Sequence, residues 1–435
     1  MRAVGTDRDD MGTPIPSRRT RAAARVRGLA VDLTPLRVSR DYRLLWLGEL
    51  VSHTGRHITV VALPFQVFLI TRSPLAVGLI GAVQVVPLVV FSLAGGVVAD
   101  RVDRRRLLAV CQVGLALISG ALALAALAGE PPLWFLYVSA ALISAVSGLD
   151  SPTRTATVPR LVGDEHIASA IALEQTLFQV SDIVGPAVGG VILGTLGLSW
   201  AYGLDAMTFV VALLSVLAMR PLPPDPAHAE MRHLAAFREG FRYLKGRRVL
   251  QSTFYVDLIA MIFGMPRALF PFLALGVFHV GPEGLGLLFA APAVGALLGA
   301  LGSGWVKHVR HQGRAVLWSV ALWGLAIAAF GLTKTFWVAL VFLGIAGAAD
   351  VVSAVFRSTI LQRSVPDRLR GRLSAIHIAV VVGGPRLGDT EAGAVAALTS
   401  PGFSVVSGGL ACVVGVGVLA LLVPQLARYH AGEDA

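Results

Sequence analysis

The chain has 435 residues, 55% of them hydrophobic and 14% charged, with a formal net charge of +11 and a mean hydropathy of +0.73. Soluble domains carry roughly 25% charged residues, and so few polar groups could not cover a soluble surface. A soluble globular protein is therefore excluded, and because the basic residues lie in short segments between apolar runs, the positive balance reads as a membrane topology signal rather than a nucleic-acid surface.

Residues 1–40 are polar and Arg-rich (Arg18, Arg19, Arg21, Arg25, Arg27), with no apolar stretch or small-residue cleavage site, and read as a cytoplasmic tail rather than a secretory signal. Apolar runs then predict membrane-spanning helices near 44–70, 75–99, 107–128, 131–151, 166–196, 199–219, 249–276, 284–306, 315–333, 335–356, 373–398 and 402–424. Each run can cross a hydrocarbon core of about 30 Å. Basic residues crowd alternate loops: Arg101, Arg104, Arg105 and Arg106; Arg154 and Arg160; Arg238, Arg242, Lys245, Arg247 and Arg248; Lys307, Arg310 and Arg314; Arg363, Arg368, Arg370 and Arg372. The intervening loops hold little beyond Arg72 and Lys334, which places both termini in the cytoplasm. A Pro-rich loop, 220–248, separates an N-terminal bundle (41–219) from a C-terminal bundle (249–424), leaving 425–435 as a second cytoplasmic tail. Cys111 and Cys412 fall inside apolar runs and predict neither a disulfide nor a metal cluster.

The two bundles echo each other. Arg154 to Asp164 lines up with Arg357 to Asp367 at an offset of 203, Gly185-Pro186-x-x-Gly189 with Gly384-Pro385-x-x-Gly388 at 199, and Gly96 to Arg106 more faintly with Gly304 to Arg314. Echoes in the same order indicate a parallel duplication. The expected fold class is an all-α membrane protein with twelve transmembrane helices in two pseudo-symmetric six-helix bundles.

Gly96-Val-Val-Ala-Asp100-Arg101-Val-Asp103-Arg104-Arg105-Arg106 joins spans two and three. It resembles the signature of the major facilitator superfamily, with Asp103 where a second Gly is usual. Asp100 can meet a helix N-terminus, where exposed N–H groups favour an anion. The resemblance implies a conformational latch built from Gly96, Asp100, Arg101, Arg104 and Arg105. In span five, Gly185, Pro186, Gly189 and Gly190 resemble the superfamily's antiporter motif: the proline bends the helix and the glycines admit a neighbour. The likeness runs from Arg40 to near Val423, and the chain is most similar to the branch of enterobactin exporters and bacterial drug efflux proteins. Span four, around Leu142 to Gly148, lacks the membrane Arg of many drug/proton antiporters, so their proton-coupling arrangement does not carry over.

Ionisable residues inside spans cost about 2.5–3.5 kcal/mol each on insertion scales and usually face a cavity or a partner. Glu49, His53, Arg56 and His57 share one face of span one, and Glu174, Ser181, Asp182 and Gly185 one face of span five. Asp182 and Glu174 are the proton-coupling candidates. Glu49, His53, Arg56, His57, Asp257 and Arg267 are the cavity candidates, with Asp205, Asp350, His377, Arg386 and Asp389 as further ones. An Arg56/His53/His57 group suits an anionic substrate such as a catecholate. His53-x-x-x-His57 has metal-ligand spacing on a helix but no third ligand is evident, and His308-x-x-His311 reads as a solvated loop pair, so neither a metal nor a cofactor is expected.

The family likeness implies a monomeric, proton-driven exporter of amphipathic small molecules, siderophore-like or drug-like, in a bacterial inner membrane. An importer or lipid mover on the same fold is the alternative. The chain has no P-loop, Gly-x-Ser-x-Gly or His-Glu-x-x-His, so an ATP-driven pump or a hydrolase is not expected.

Overall fold

The computed structural model describes residues 32–224, 239–240 and 242–429. Both predicted tails and the middle of the 220–248 loop therefore lie largely outside the described residues. Twelve long helical segments follow in chain order: α1 Arg40–Thr71, α2 Pro74–Arg101, α3 Arg104–Ala128, α4 Leu133–Val162, α5 Ile167–Thr195, α6 Leu198–Leu217, α7 Arg248–Phe263, α8 Gly281–Leu301, α9 Gln312–Leu332, α10 Phe336–Ser364, α11 Asp367–Leu398 and α12 Pro401–Leu422. Ten of them, with α7 counted together with its continuation to Gly276, are long and apolar enough to cross a membrane. The other two, α1 and α11, are long enough but carry the polar residues Glu49, His53, Arg56 and His57, and His377, Arg386, Asp389 and Glu391.

Local chemistry sets the helix starts. Ser39, Ser73 and Ser400 each cap a helix by accepting the N–H of the third residue on, and Pro74 and Pro401 occupy first positions where no N–H is needed. Asp103, the departure from the family signature, is an N-cap too. Its Oδ1 accepts the N–H of Arg106 at 3.1 Å and its Oδ2 that of Leu222 at 3.1 Å, tying the start of α3 to the end of the first half. Its backbone φ of −61° has no need of glycine. Trp134, Trp200 and Trp337, at the starts of α4, α6 and α10, are exposed on the outside, where an aromatic belt meets the membrane interface.

Three spans depart from expectation. α4 and α10 run on to Val162 and Ser364, so Arg154 and Arg357 are helical and buried rather than loop residues. Span seven is interrupted: after α7 the chain breaks at Gly264 and Pro266, then resumes as Phe270–Gly276. The break frees backbone groups that other helices satisfy, as buried backbone requires. Trp323 Nε1 donates to the Gly264 carbonyl at 2.9 Å, and the Ala268 N–H donates to Asp389 Oδ1 at 2.8 Å.

Each half repeats one pattern. α1 packs on α5 and α6, α2 on α4, and α3 on α6; correspondingly α7 packs on α11, α8 on α10, and α9 on α12. The halves meet through α2 with α11 and α5 with α8. Both crossings are glycine on glycine. A Cβ on Gly190 would lie 2.8 Å from the Gly286 Cα and 2.7 Å from the Pro282 carbonyl oxygen. A Cβ on Gly393 would lie 2.8 Å from the Gly78 Cα and 2.6 Å from the Pro74 carbonyl oxygen. In lipid, where apolar burial does not drive helices together, such backbone approach carries association. Gly190 and Gly393 are 203 residues apart, Gly78 and Gly286 208 apart, so the two seams are copies.

Those offsets correct one of the echoes. Gly185 meets the Thr54 carbonyl, and Gly388 meets the Ile262 carbonyl; Thr54 and Ile262 are again 208 apart. The structural partner of Gly185 is thus Gly388, at 203, rather than Gly384 at 199. The sequence match was displaced by four residues, about one helical turn, which keeps small residues on the same face.

Candidate functional site

Within its own half the latch motif makes these contacts. Arg104 is buried at the start of α3. Its Nη1 donates to the Ala156 carbonyl at 2.6 Å, its Nε to Ala99 at 3.3 Å, and its Nη2 lies 3.5 Å from Asp100 Oδ1. Arg105 donates to the carbonyls of Val216 and Leu217 at the end of α6. Arg101 is exposed at the end of α2. The glycine buried against Gly148 and Pro152 of α4 is Gly95, the neighbour of Gly96.

The antiporter-like motif forms the inner seam of α5. Gly185 admits His57, whose Cβ would lie 2.5 Å from a Cβ at that position; Gly189 faces Ile58, and Gly190 crosses α8. Pro186 is buried within the helix. One turn earlier Thr54 Oγ1 and Ser181 Oγ share a hydrogen bond at 3.0 Å, and Gln179 Nε2 reaches across the halves to the Ala293 carbonyl at 2.6 Å.

Deep in each half lies a buried arginine cluster. In the first, Arg154 Nε bonds Asp150 Oδ2 at 2.7 Å, Arg154 Nη1 faces Glu49 Oε2 at 3.6 Å, and Gln112 Nε2 donates to Asp150 Oδ1 at 2.9 Å. Glu174 of α5 interacts electrostatically with Glu49 and Arg154. In the second, Arg357 Nη2 pairs with Asp257 Oδ1 at 2.8 Å and with Asp350 Oδ1 at 3.6 Å, while His377 Nδ1 stands 3.4 Å from Asp257 Oδ2. Arg154 and Arg357, and Glu174 and His377, are 203 residues apart, and Glu49 and Asp257 are 208 apart. The duplication has thus kept an arginine on the fourth helix facing an acid on the first.

Leu142 to Gly148 holds no arginine, yet α4 carries one further along. Arg154 lies about two turns beyond Gly148, is only 6% exposed, and holds the first cluster together. Asp257 of α7 is buried as an ion-pair partner of Arg357. Asp205 of α6 is held between α1 and α3: its Oδ2 accepts the hydroxyls of Thr59 at 2.6 Å and Ser119 at 2.8 Å.

Where the halves meet, Arg56 of α1, Arg267 of the α7 break and Arg386 of α11 act on one another electrostatically; Asp389 lies in the field of Arg267 and Arg386, Asp350 in that of Arg267, and Glu49 and Asp205 in that of Arg56. The Arg56 Nε is buried and makes no hydrogen bond among the described residues. Beside it, His57 Nε2 bonds Asp182 Oδ1 at 2.8 Å across the α1–α5 contact, and the Asp182 side chain is 45% exposed. A carboxylate so accessible in mid-span cannot face hydrocarbon, so its exposure marks a polar opening inside the protein. Within the described residues, α1 and α5 bring together Glu49, His53, Arg56, His57, Glu174 and Asp182, while Asp205 stands on α6 and Arg267 of the α7 break faces Arg386 and Asp389 of α11.

Two six-helix repeats, glycine seams between them and charged residues on their inner faces define a membrane transporter. The model of the family described as transmembrane secretion effector matches residues 30–433. The enterobactin exporter EntS of Citrobacter koseri is 30% identical over 402 residues, covering 92% of this chain and 96% of that protein. EntS of Shigella boydii is 31% identical over 403 residues, with the same coverage. Among solved structures, the nucleoside transporter NupG superposes with a TM-score of 0.71 at 13% identity, covering 89% of this chain and 99% of that one. A bacterial homologue of the human lysosomal transporter Spinster gives 0.70 at 17% identity, covering 89% and 96%. The chain belongs to the transmembrane secretion effector family of the major facilitator superfamily. It is accordingly a multi-pass membrane transporter and not an enzyme.

Proposed function

We propose that the protein is a proton-coupled exporter of anionic, amphipathic small molecules of the siderophore type, working by alternating access in a bacterial inner membrane. The observation that carries this reading is the group of Arg56, Arg267 and Arg386, three arginines drawn from both halves that act on one another electrostatically. Asp350 and Glu49, the further acids near Arg267 and Arg56, face Arg357 and Arg154 instead, which favours a positive field at the place where a substrate would touch both halves. Catecholate oxygens suit forked guanidinium donors. The naming of relatives as enterobactin exporters agrees with such a substrate. With the basic loops in the cytoplasm, both termini are inside and the glycine seams close the outer end.

The Arg267→Gln variant tests the charge argument. Binding of a tris-catecholate to purified protein is expected to weaken at least tenfold, about 1.4 kcal/mol, while binding of a cationic dye is unchanged or improved. Wild-type protein that prefers the cationic dye to an acidic analogue would overturn the anionic assignment.

For the proton, the first buried cluster favours Glu174, acting with Glu49, over Asp182. Glu49, Asp150 and Glu174 surround Arg154, and the next cation, Arg56, is shared with the group between the halves. Buried carboxylates in excess of their partners are held neutral by protons. Glu49→Gln and Glu174→Gln are each expected to reduce transport into inverted vesicles driven by a pH gradient by at least tenfold, while substrate exchange without a gradient persists. Gradient-driven transport at the wild-type rate in both variants would rule the pair out. The same assay on Asp182→Asn decides its separate candidacy.

A further inference from the structure

We infer that His53, His57 and Asp182 form a binding site for a divalent first-row transition-metal ion, facing the polar opening of the first half. His53 and His57 are separated by four residues on α1, so their rings lie one above the other on one face, with centroids 4.9 Å apart. Asp182 arrives from α5 and supplies the third donor that sequence spacing did not show. One ligand atom from each residue lies within 4.8 Å of the other two. Ligand atoms sharing a zinc-sized ion at about 2.0–2.1 Å stand roughly 3.3 Å apart, so modest side-chain rotation closes the set.

Two features hold the site open for an ion. Gly185 has no side chain where His57 approaches, which lets α1 and α5 come close enough for their donors to converge. His53 Nδ1 is buried without a hydrogen-bond partner among the described residues, a cost that a ligated or reoriented ring removes. The His53 ring is braced by Phe178, with centroids 4.9 Å apart. His57 Nε2 and Asp182 Oδ1, 2.8 Å apart, share a hydrogen bond that an ion would replace. Two imidazoles and a carboxylate select zinc, cobalt or iron over magnesium or calcium, and three protein ligands leave at least one position for water or another oxygen donor. The neighbouring charges are mixed. Arg56 and Arg154 oppose a cation at His53, while Asp205, which lies in the field of His57, favours one.

The test is titration of the tag-free, chelator-treated full-length protein in detergent with Co2+. The expected result is one ion per chain, with visible d–d absorption of a nitrogen- and oxygen-ligated site, competition by Zn2+ and a rise in Tm that follows ion concentration. His53→Gln and Asp182→Asn should each weaken binding at least tenfold, with size-exclusion profiles and metal-free Tm confirming folded protein. The His308→Gln/His311→Gln double variant should bind as wild type does. No stoichiometric Co2+ binding, or binding unchanged in folded His53→Gln, would overturn the assignment. The readout is binding alone, so its outcome is independent of the transport reading.

Discussion

The Arg357→Ala variant is expected to lose about 3–5 kcal/mol of stability, because it strands two carboxylates inside the membrane. Arg357 is 2% exposed and its guanidinium is shared between Asp257 and Asp350. Truncation removes the counter-charge of both acids together with the bond from Arg357 Nη1 to Ser353 Oγ at 3.1 Å. Thermal unfolding in detergent checks the size of the loss, and Arg363→Ala, at an exposed position in the last turn of α10, provides the comparison at within about 0.5 kcal/mol of wild type. Combining Arg357→Met with Asp257→Asn should recover part of the loss, since a neutral pair of similar volume leaves less charge unpaired. If Arg357→Ala melts with the wild-type protein, the cluster is not a buried ion network. Arg154, tied to Asp150 and Glu49, should behave in the same way.

The second large effect concerns the seams. Gly286→Leu is expected to reduce transport at least a hundredfold while leaving a folded protein. A Cβ at Gly286 would lie 2.8 Å from the Gly190 Cα, a distance that backbone can relieve only by moving apart. Overpacking inside a tight core costs about 1–3 kcal/mol. Here the close contacts run between the halves, so the strain falls on their closed arrangement rather than on the packing inside either bundle. Spin labels at Leu196 and Val280, at the ends of α5 and α8, should then report a longer separation. Gly393→Leu repeats the experiment on the copied seam, where Gly78 and the Pro74 carbonyl stand in the way. Wild-type label distances in both variants would show that the seams do not hold that end shut.

Of the site, the sequence displayed the ingredients but not the pairings. The polar faces of α1 and α5 were visible because helical spacing alone puts Glu49, His53, Arg56 and His57 on one side. Arg154 and Arg357 were also visible, as part of the repeated segment, yet their role was hidden. A basic residue near the end of an apolar run looks like a loop charge until the helix is seen to continue past it. The break in α7 was missed for a related reason. Gly264 and Pro266 sit in an apolar run that hydropathy joins smoothly, and the groups that compensate the break, Trp323 and Asp389, come from α9 and α11.

What the sequence determined by itself is the class and the plan: a membrane protein of twelve helices in two related halves. Hydropathy, loop charge and helix caps are properties of consecutive residues, so they can be read without knowing where any helix lies. Tertiary structure decided which charges meet, which glycines touch and in what register, and that Asp182 completes a triad with two histidines. Those facts depend on relative helix placement, where a shift of one turn leaves the hydrophobic pattern almost unchanged but exchanges every partner across the contact.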